Sequence, residues 1–131
     1  MNLIAALGRA MTGVPYIKLG YDAATAPGQR VDTAAPLLDK VRQVVPIPVD
    51  NETVVRANGA AMAVGGALVA SSLAPRAGAA LLVGALVPTT VAGHPFWKST
   101  DPAQRAMNQT QFLKNMAMCG GLVVIAASRK R

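Results

Sequence analysis

Cysteine, histidine and tryptophan each occur once in this chain of 131 residues, and aromatic residues make up only 4% of it. A lone Cys119 allows no internal disulfide, no CxxC redox pair and no cysteine zinc site. One His and one Cys fall short of the three or four ligands that a metal centre usually needs. Acidic residues are scarce too, six against thirteen basic ones. No pair of carboxylates sits inside an apolar run to act as acid and base. No GxGxxG, P-loop or nucleophile elbow occurs in a suitable context. The excess of basic residues lacks the interleaved aromatics and the motifs of a nucleic-acid interface, which excludes nucleic acid as the expected partner. No catalytic residue and no metal site is expected, so standalone catalysis is not the expected role.

What the chain does have is apolar length. Hydrophobic residues form 52% of it and charged residues 15%, where soluble domains carry about 25% charged. The charge is not evenly spread. Apolar stretches at about residues 3–22, 54–73, 77–93 and 110–127 are separated by polar segments. Each is long enough, at 1.5 Å per residue, for about 30 Å of hydrocarbon. The second and third have no polar face, which a helix on the surface of a soluble protein would need. The first is the least apolar, interrupted by Arg9, Pro15 and Lys18. It lacks the charged start and the small-residue cleavage site of a signal peptide, and is expected to be a membrane helix with its cations near the interfaces. Between the first two spans, Val31, Ala34, Ala35, Leu37, Leu38, Val41, Val44 and Val45 recur at helical spacing. This predicts an amphipathic interfacial helix ended by Pro46 and Pro48. The expected fold is therefore all-α, a single integral-membrane domain of four helices. Small residues four apart (Gly8 and Thr12, Ala61 and Gly65, Gly66 and Ala70, Ala80 and Gly84, Ala117 and Gly121) suit close helix packing in lipid. Gly65-Gly66 and Gly120-Gly121 are read the same way, and Cys119 as inert packing.

Four spans place both termini and the Pro75-Arg76 turn on one membrane face. All the acidic residues (Asp22, Asp32, Asp39, Asp50, Glu52 and Asp101) then fall on the other. The basic tail Arg129-Lys130-Arg131 favours termini in the cytoplasm, against Arg30, Lys40, Arg42, Arg56, Lys98 and Arg105 on the opposite face. Trp97 suits an interfacial anchor. At the loop-bearing face the helix ends bring Lys18, Tyr21, Asp22, Arg56, Asn58, His94, Gln111, Lys114 and Asn115 to a similar depth. Lys18 and Asp22, four apart, are placed to pair. Asn115 lies deep enough that its amide needs a partner on another helix. Such a polar collar fits a pocket for a quinone headgroup or a small anion. It fits better the ordinary polarity of helix ends, with His94 as a cap.

Gly93-His94-Pro95-Phe96-Trp97, Asp101-Pro102-Ala103 and the run from Gln111 to Gly121, QFLKNMAMCGG, resemble the third loop and last helix of the DoxX family. Leu19-Gly20-Tyr21-Asp22-Ala23 and Pro27-Gly28 are similar to actinobacterial members. The resemblance implies a four-helix protein of the inner (plasma) membrane, an accessory or anchoring subunit of an oxidoreductase complex. Its implied partners are the lipid bilayer and redox enzymes such as a superoxide dismutase or a sulfurtransferase. The alternative is a quinone-interacting subunit of a thiosulfate:quinone-type oxidoreductase. A transporter is disfavoured, since no repeated half is visible.

Overall fold

The computed structural model describes residues 2–129, and Lys130 and Arg131 of the expected basic tail lie outside the described residues. Helices account for most of the described residues: α1 (Leu3–Thr25), α2 (Arg30–Arg42), α3 (Asn51–Ala70), α4 (Pro75–Gly93) and α5 (Pro102–Ala127), with a 3-10 turn at Phe96–Lys98. No strand occurs among the described residues. Three segments, Asn51–Ala70, Pro75–Lys98 and Pro102–Ala127, are long and apolar enough to cross a membrane. Helix α1 is not among them.

Local chemistry sets the helix ends. Asn2 Oδ1 accepts from the Ile4 and Ala5 amides to start α1. Asp50 starts α3 by accepting from Thr53 N at 2.8 Å. Asp101 starts α5 by accepting from Gln104 N at 2.9 Å, with Pro102 in the first turn, where its missing N–H leaves no bond unmade. Helix α5 thus begins eight residues before the expected span at 110 and takes up the second part of the expected polar loop. Helix α3 likewise starts at Asn51 and ends at Ala70, three residues earlier than the hydropathy suggests at each end. The amphipathic helix stops at Arg42, short of the expected Val45. Val45 precedes a proline, which disfavours helical backbone. Arg42 also turns back to hold Val49 O at 2.7 Å and the Asn51 amide oxygen. Val44 and Val45 are left exposed beyond the helix.

The four long helices run alternately up and down, α1 packed on α3, α3 on α4 and α4 on α5, with α2 lying across α3 and α4. At the end where α1 begins and α5 finishes, Arg9 Nε donates to Ser72 Oγ at 2.8 Å and Arg76 Nε to Ala126 O at 3.0 Å. Ser72 sits in the left-handed region at φ 60° in the turn between α3 and α4. The core is one cluster that includes Tyr16, Met62, Val69, Leu82, Leu86 and Leu122.

Glycine decides how α1 and α3 meet. Gly13 and Gly20 on α1 face Gly66 and Gly59 on α3, each pair seven residues apart on its own helix. A Cβ on Gly66 would lie 2.6 Å from Gly13 O, and one on Gly59 2.7 Å from Ala24 N. At Gly13 and Gly20 a Cβ would run still closer into the α3 backbone. Nothing but hydrogen fits, so the two backbones touch. Gly65 and Gly78 make a similar contact between α3 and α4, where a Cβ on Gly78 would lie 2.7 Å from Gly65 O. Gly8, Gly84, Gly120 and Gly121, by contrast, have open space where a Cβ would go. The packing role expected for Gly120-Gly121 is thereby corrected.

Candidate functional site

The residues of the candidate collar do not converge on one point. Lys18 pairs with Asp22 along α1, as their spacing requires, and its side chain is largely exposed. Tyr21 is exposed. Arg56 reaches back to the end of α1, donating to Ala24 O at 2.7 Å and Thr25 O at 3.0 Å, and pairs with Glu52 at 2.7 Å. It therefore caps the carbonyls of α1, where a cation is favoured by the helix dipole. His94 is the C-cap of α4: its backbone N–H donates to Thr90 O at 3.0 Å and its carbonyl accepts from Phe96 N at 2.9 Å. Gln111 is half-buried and Lys114 is exposed.

Asn58 and Asn115 bind across helices from side chain to side chain, and they do so to neighbouring residues. Asn115 Nδ2 donates to Thr90 Oγ1 at 3.0 Å from α5. Asn58 Nδ2 donates to Thr89 Oγ1 at 2.9 Å from α3. Each threonine in turn gives its hydroxyl proton to the carbonyl four residues back, Ala85 O at 2.8 Å and Leu86 O at 2.7 Å. Helix α4 is thus stitched to α3 on one side and α5 on the other by consecutive hydroxyls, just after Pro88. Asn115 was legible as a residue needing a partner. The paired threonines were missed, although Thr89-Thr90 is the one polar dipeptide in an otherwise apolar run.

Two further features lie outside the collar. Phe96, Trp97 and Phe112 stack edge to face, with ring centroids 5.3 to 5.9 Å apart, and tie the 3-10 turn to α5. Trp97, expected as an interfacial anchor, has this packing as well as an exposed edge. Tyr16, 2% exposed, carries a hydroxyl with no hydrogen-bond partner among the described residues.

A cavity of about 420 Å³ opens beneath α2. Leu37, Leu38 and Ala34 of α2 form its roof, Leu19 and Ala23 of α1 one wall, Val54, Val55, Asn58 and Met62 of α3 another, and Pro88, Thr89 and Ala92 of α4 the third. The apolar side of α2 is therefore turned onto α3 and α4, with Leu38 buried. Of the collar, only Asn58 lines this cavity. Its volume is within the range of small-molecule sites, which are mainly apolar with a few placed polar groups. No group of three or more His, Cys, Asp or Glu placed to hold a metal ion occurs among the described residues.

The acidic residues mostly serve the fold. Asp50 and Asp101 cap helices, and Asp22, Glu52 and Asp39 pair with Lys18, Arg56 and Arg42. Hydrogen bonds from Thr53, with a smaller contribution from Arg42, hold the Asp50 carboxyl below its ordinary value. Lys40, Lys98 and Arg105 are exposed, and no acidic side chain pairs with them among the described residues. The loop-bearing face thus carries net positive charge. No family model, curated protein or solved structure matches this chain.

Proposed function

We propose that this chain is a small four-span subunit of the inner membrane that anchors a partner protein at its loop-bearing face, with its termini in the cytoplasm. One observation carries the four-span reading: α1 touches α3 backbone to backbone from Gly13–Gly66 to Gly20–Gly59. Contacts of this kind are how helices associate in lipid, where burial from water gives no drive. A helix held antiparallel along α3 crosses with it, and the Arg9 and Lys18 side chains reach the interfaces from near its ends.

The anchoring role is supported by the exposed cations Lys40, Lys98 and Arg105 on a platform whose carboxylates are mostly engaged in caps and pairs. Such a surface suits a partner with an acidic docking face, because complementary charge steers encounter and fixes register. The redox character of that partner is what the DoxX resemblance implies. Purification from native membranes in a gentle detergent at low salt should retain a stoichiometric protein partner, and combined Lys40→Glu and Arg105→Glu should release it. Recovery of the chain alone under those conditions would contradict the reading.

A further inference from the structure

The cavity beneath α2 presents an acceptor that the protein leaves unpartnered, and hydrogen-bond arithmetic defines it. Thr89 has one hydroxyl proton, and it goes to Ala85 O. Its oxygen can therefore only accept from Asn58, which fixes the amide nitrogen of Asn58 on that side. The second amide proton points to Met62 S at 3.9 Å. Both donors of Asn58 are then engaged, and its Oδ1 has no partner among the described residues. Thr33 at the rim gives its proton to Gln29 O at 3.0 Å, so it adds no free donor either. Leu19, Leu37, Leu38, Val54, Val55 and Met62 belong to the apolar remainder of the wall, while Gln29 and Arg30, both exposed, bring donors only to its solvent edge, and a charged group placed among the apolar residues would be costly.

We propose that this cavity binds an uncharged, lipophilic alcohol or phenol whose hydroxyl donates to Asn58 Oδ1. At Asn58 Oδ1 the chemistry favours a hydroxyl over its capped form, because an ether or a ketone brings only acceptors to that oxygen. The inference is independent of the anchoring role, since it concerns the space under α2 and not the charged rim.

The test uses the full chain in lipid nanodiscs and a diazirine-bearing 4-octylphenol as photoprobe. Labelling should map to the peptides spanning 29–38 and 54–62. Free 4-octylphenol should displace the probe about fivefold more effectively than 4-octylanisole, its methyl ether, the size expected of one neutral hydrogen bond. Asn58→Ala should make the two competitors equal, and Leu37→Trp, which fills the cavity from its roof, should remove the labelling. Equal competition in the unaltered protein overturns the proposal, as does labelling confined to the outward faces of α1 and α5. So does a preference for the phenol that survives Asn58→Ala. The competition in the unaltered protein decides the matter even if a variant fails to fold.

Discussion

Helices α1 and α5 invert what their hydropathies suggest. Helix α5 is apolar enough to cross a membrane, yet only 11% of its apolar stretch is buried, against 33% for α3. Helix α1, broken by Arg9, Pro15 and Lys18, falls short of that apolarity but buries Gly13, Tyr16, Gly20 and Ala23 along one seam. Hydropathy measures what a helix shows to its surroundings. How tightly it is held depends on how close its backbone can come, and that is set by glycine. Outward side chains on α5, such as Met116, Val123 and Val124, are exposed where lipid would lie.

The contrast breaks most readily at the seam. Gly20→Leu pushes a side chain into the α3 backbone, for which no rotamer offers relief. Overpacking typically costs about 1–3 kcal/mol, and the rigid neighbour puts this case at the upper end. Denaturant titration in mild micelles should show it, along with release of α1 to proteolysis. Gly121→Leu, on the open side of α5, should stay within about 0.5 kcal/mol. Similar losses at both sites would erase the distinction.

Polar stitching separates the helices less strongly. Asn115→Ala removes the hydrogen bond that its amide gives to Thr90 of α4, and interhelical bonds in membranes average about 0.6 kcal/mol. The same titration should report a loss of about that size. Tyr16→Phe should act in the opposite direction. An unpaired buried hydroxyl is costly, and its removal should stabilise the chain by about 1 kcal/mol. A destabilised Tyr16→Phe would mean that the hydroxyl has a partner.

The smallest effect concerns Asp50. Its folded carboxyl titrates below the ordinary value of 3.8 because the Thr53 bonds favour the ionised form. The stability it contributes is therefore fully present above that ordinary value and is lost as pH falls through the lower folded one. Acid titration of Asp50→Asn should show a shallower fall in stability below about pH 4 than the parent. Superimposable curves would remove Asp50 from the acid response.

Much of this architecture was legible in the sequence. Apolar runs marked α3, α4 and the second half of α5, and the Lys18–Asp22 pair and the need of Asn115 for a partner followed from spacing and depth. Two kinds of information were not. Of the small-residue pairs four apart, Gly66 and Ala70 both meet Gly13, but the α1–α3 seam itself repeats every seven, and only the partner backbone tells Gly66 from Gly120. Hydropathy also drew α5 too short, because it does not weigh Asp101-Pro102, a helix start written in plain view. The collar is a matter of direction rather than depth. Helix ends at one level carry polar groups that point apart, and rotation about each helix axis is fixed by packing that no single segment encodes.

Whether α1 crosses the membrane beside α3 is tested most directly by the sidedness of single cysteines in a Cys119→Ser background. Asn2→Cys, Ser72→Cys and Gln43→Cys would each be exposed to an impermeant maleimide in sealed vesicles of known orientation. A four-span chain labels at positions 2 and 72 from one side and at position 43 only from the other. Labelling of positions 2 and 43 from the same side would show that α1 does not cross.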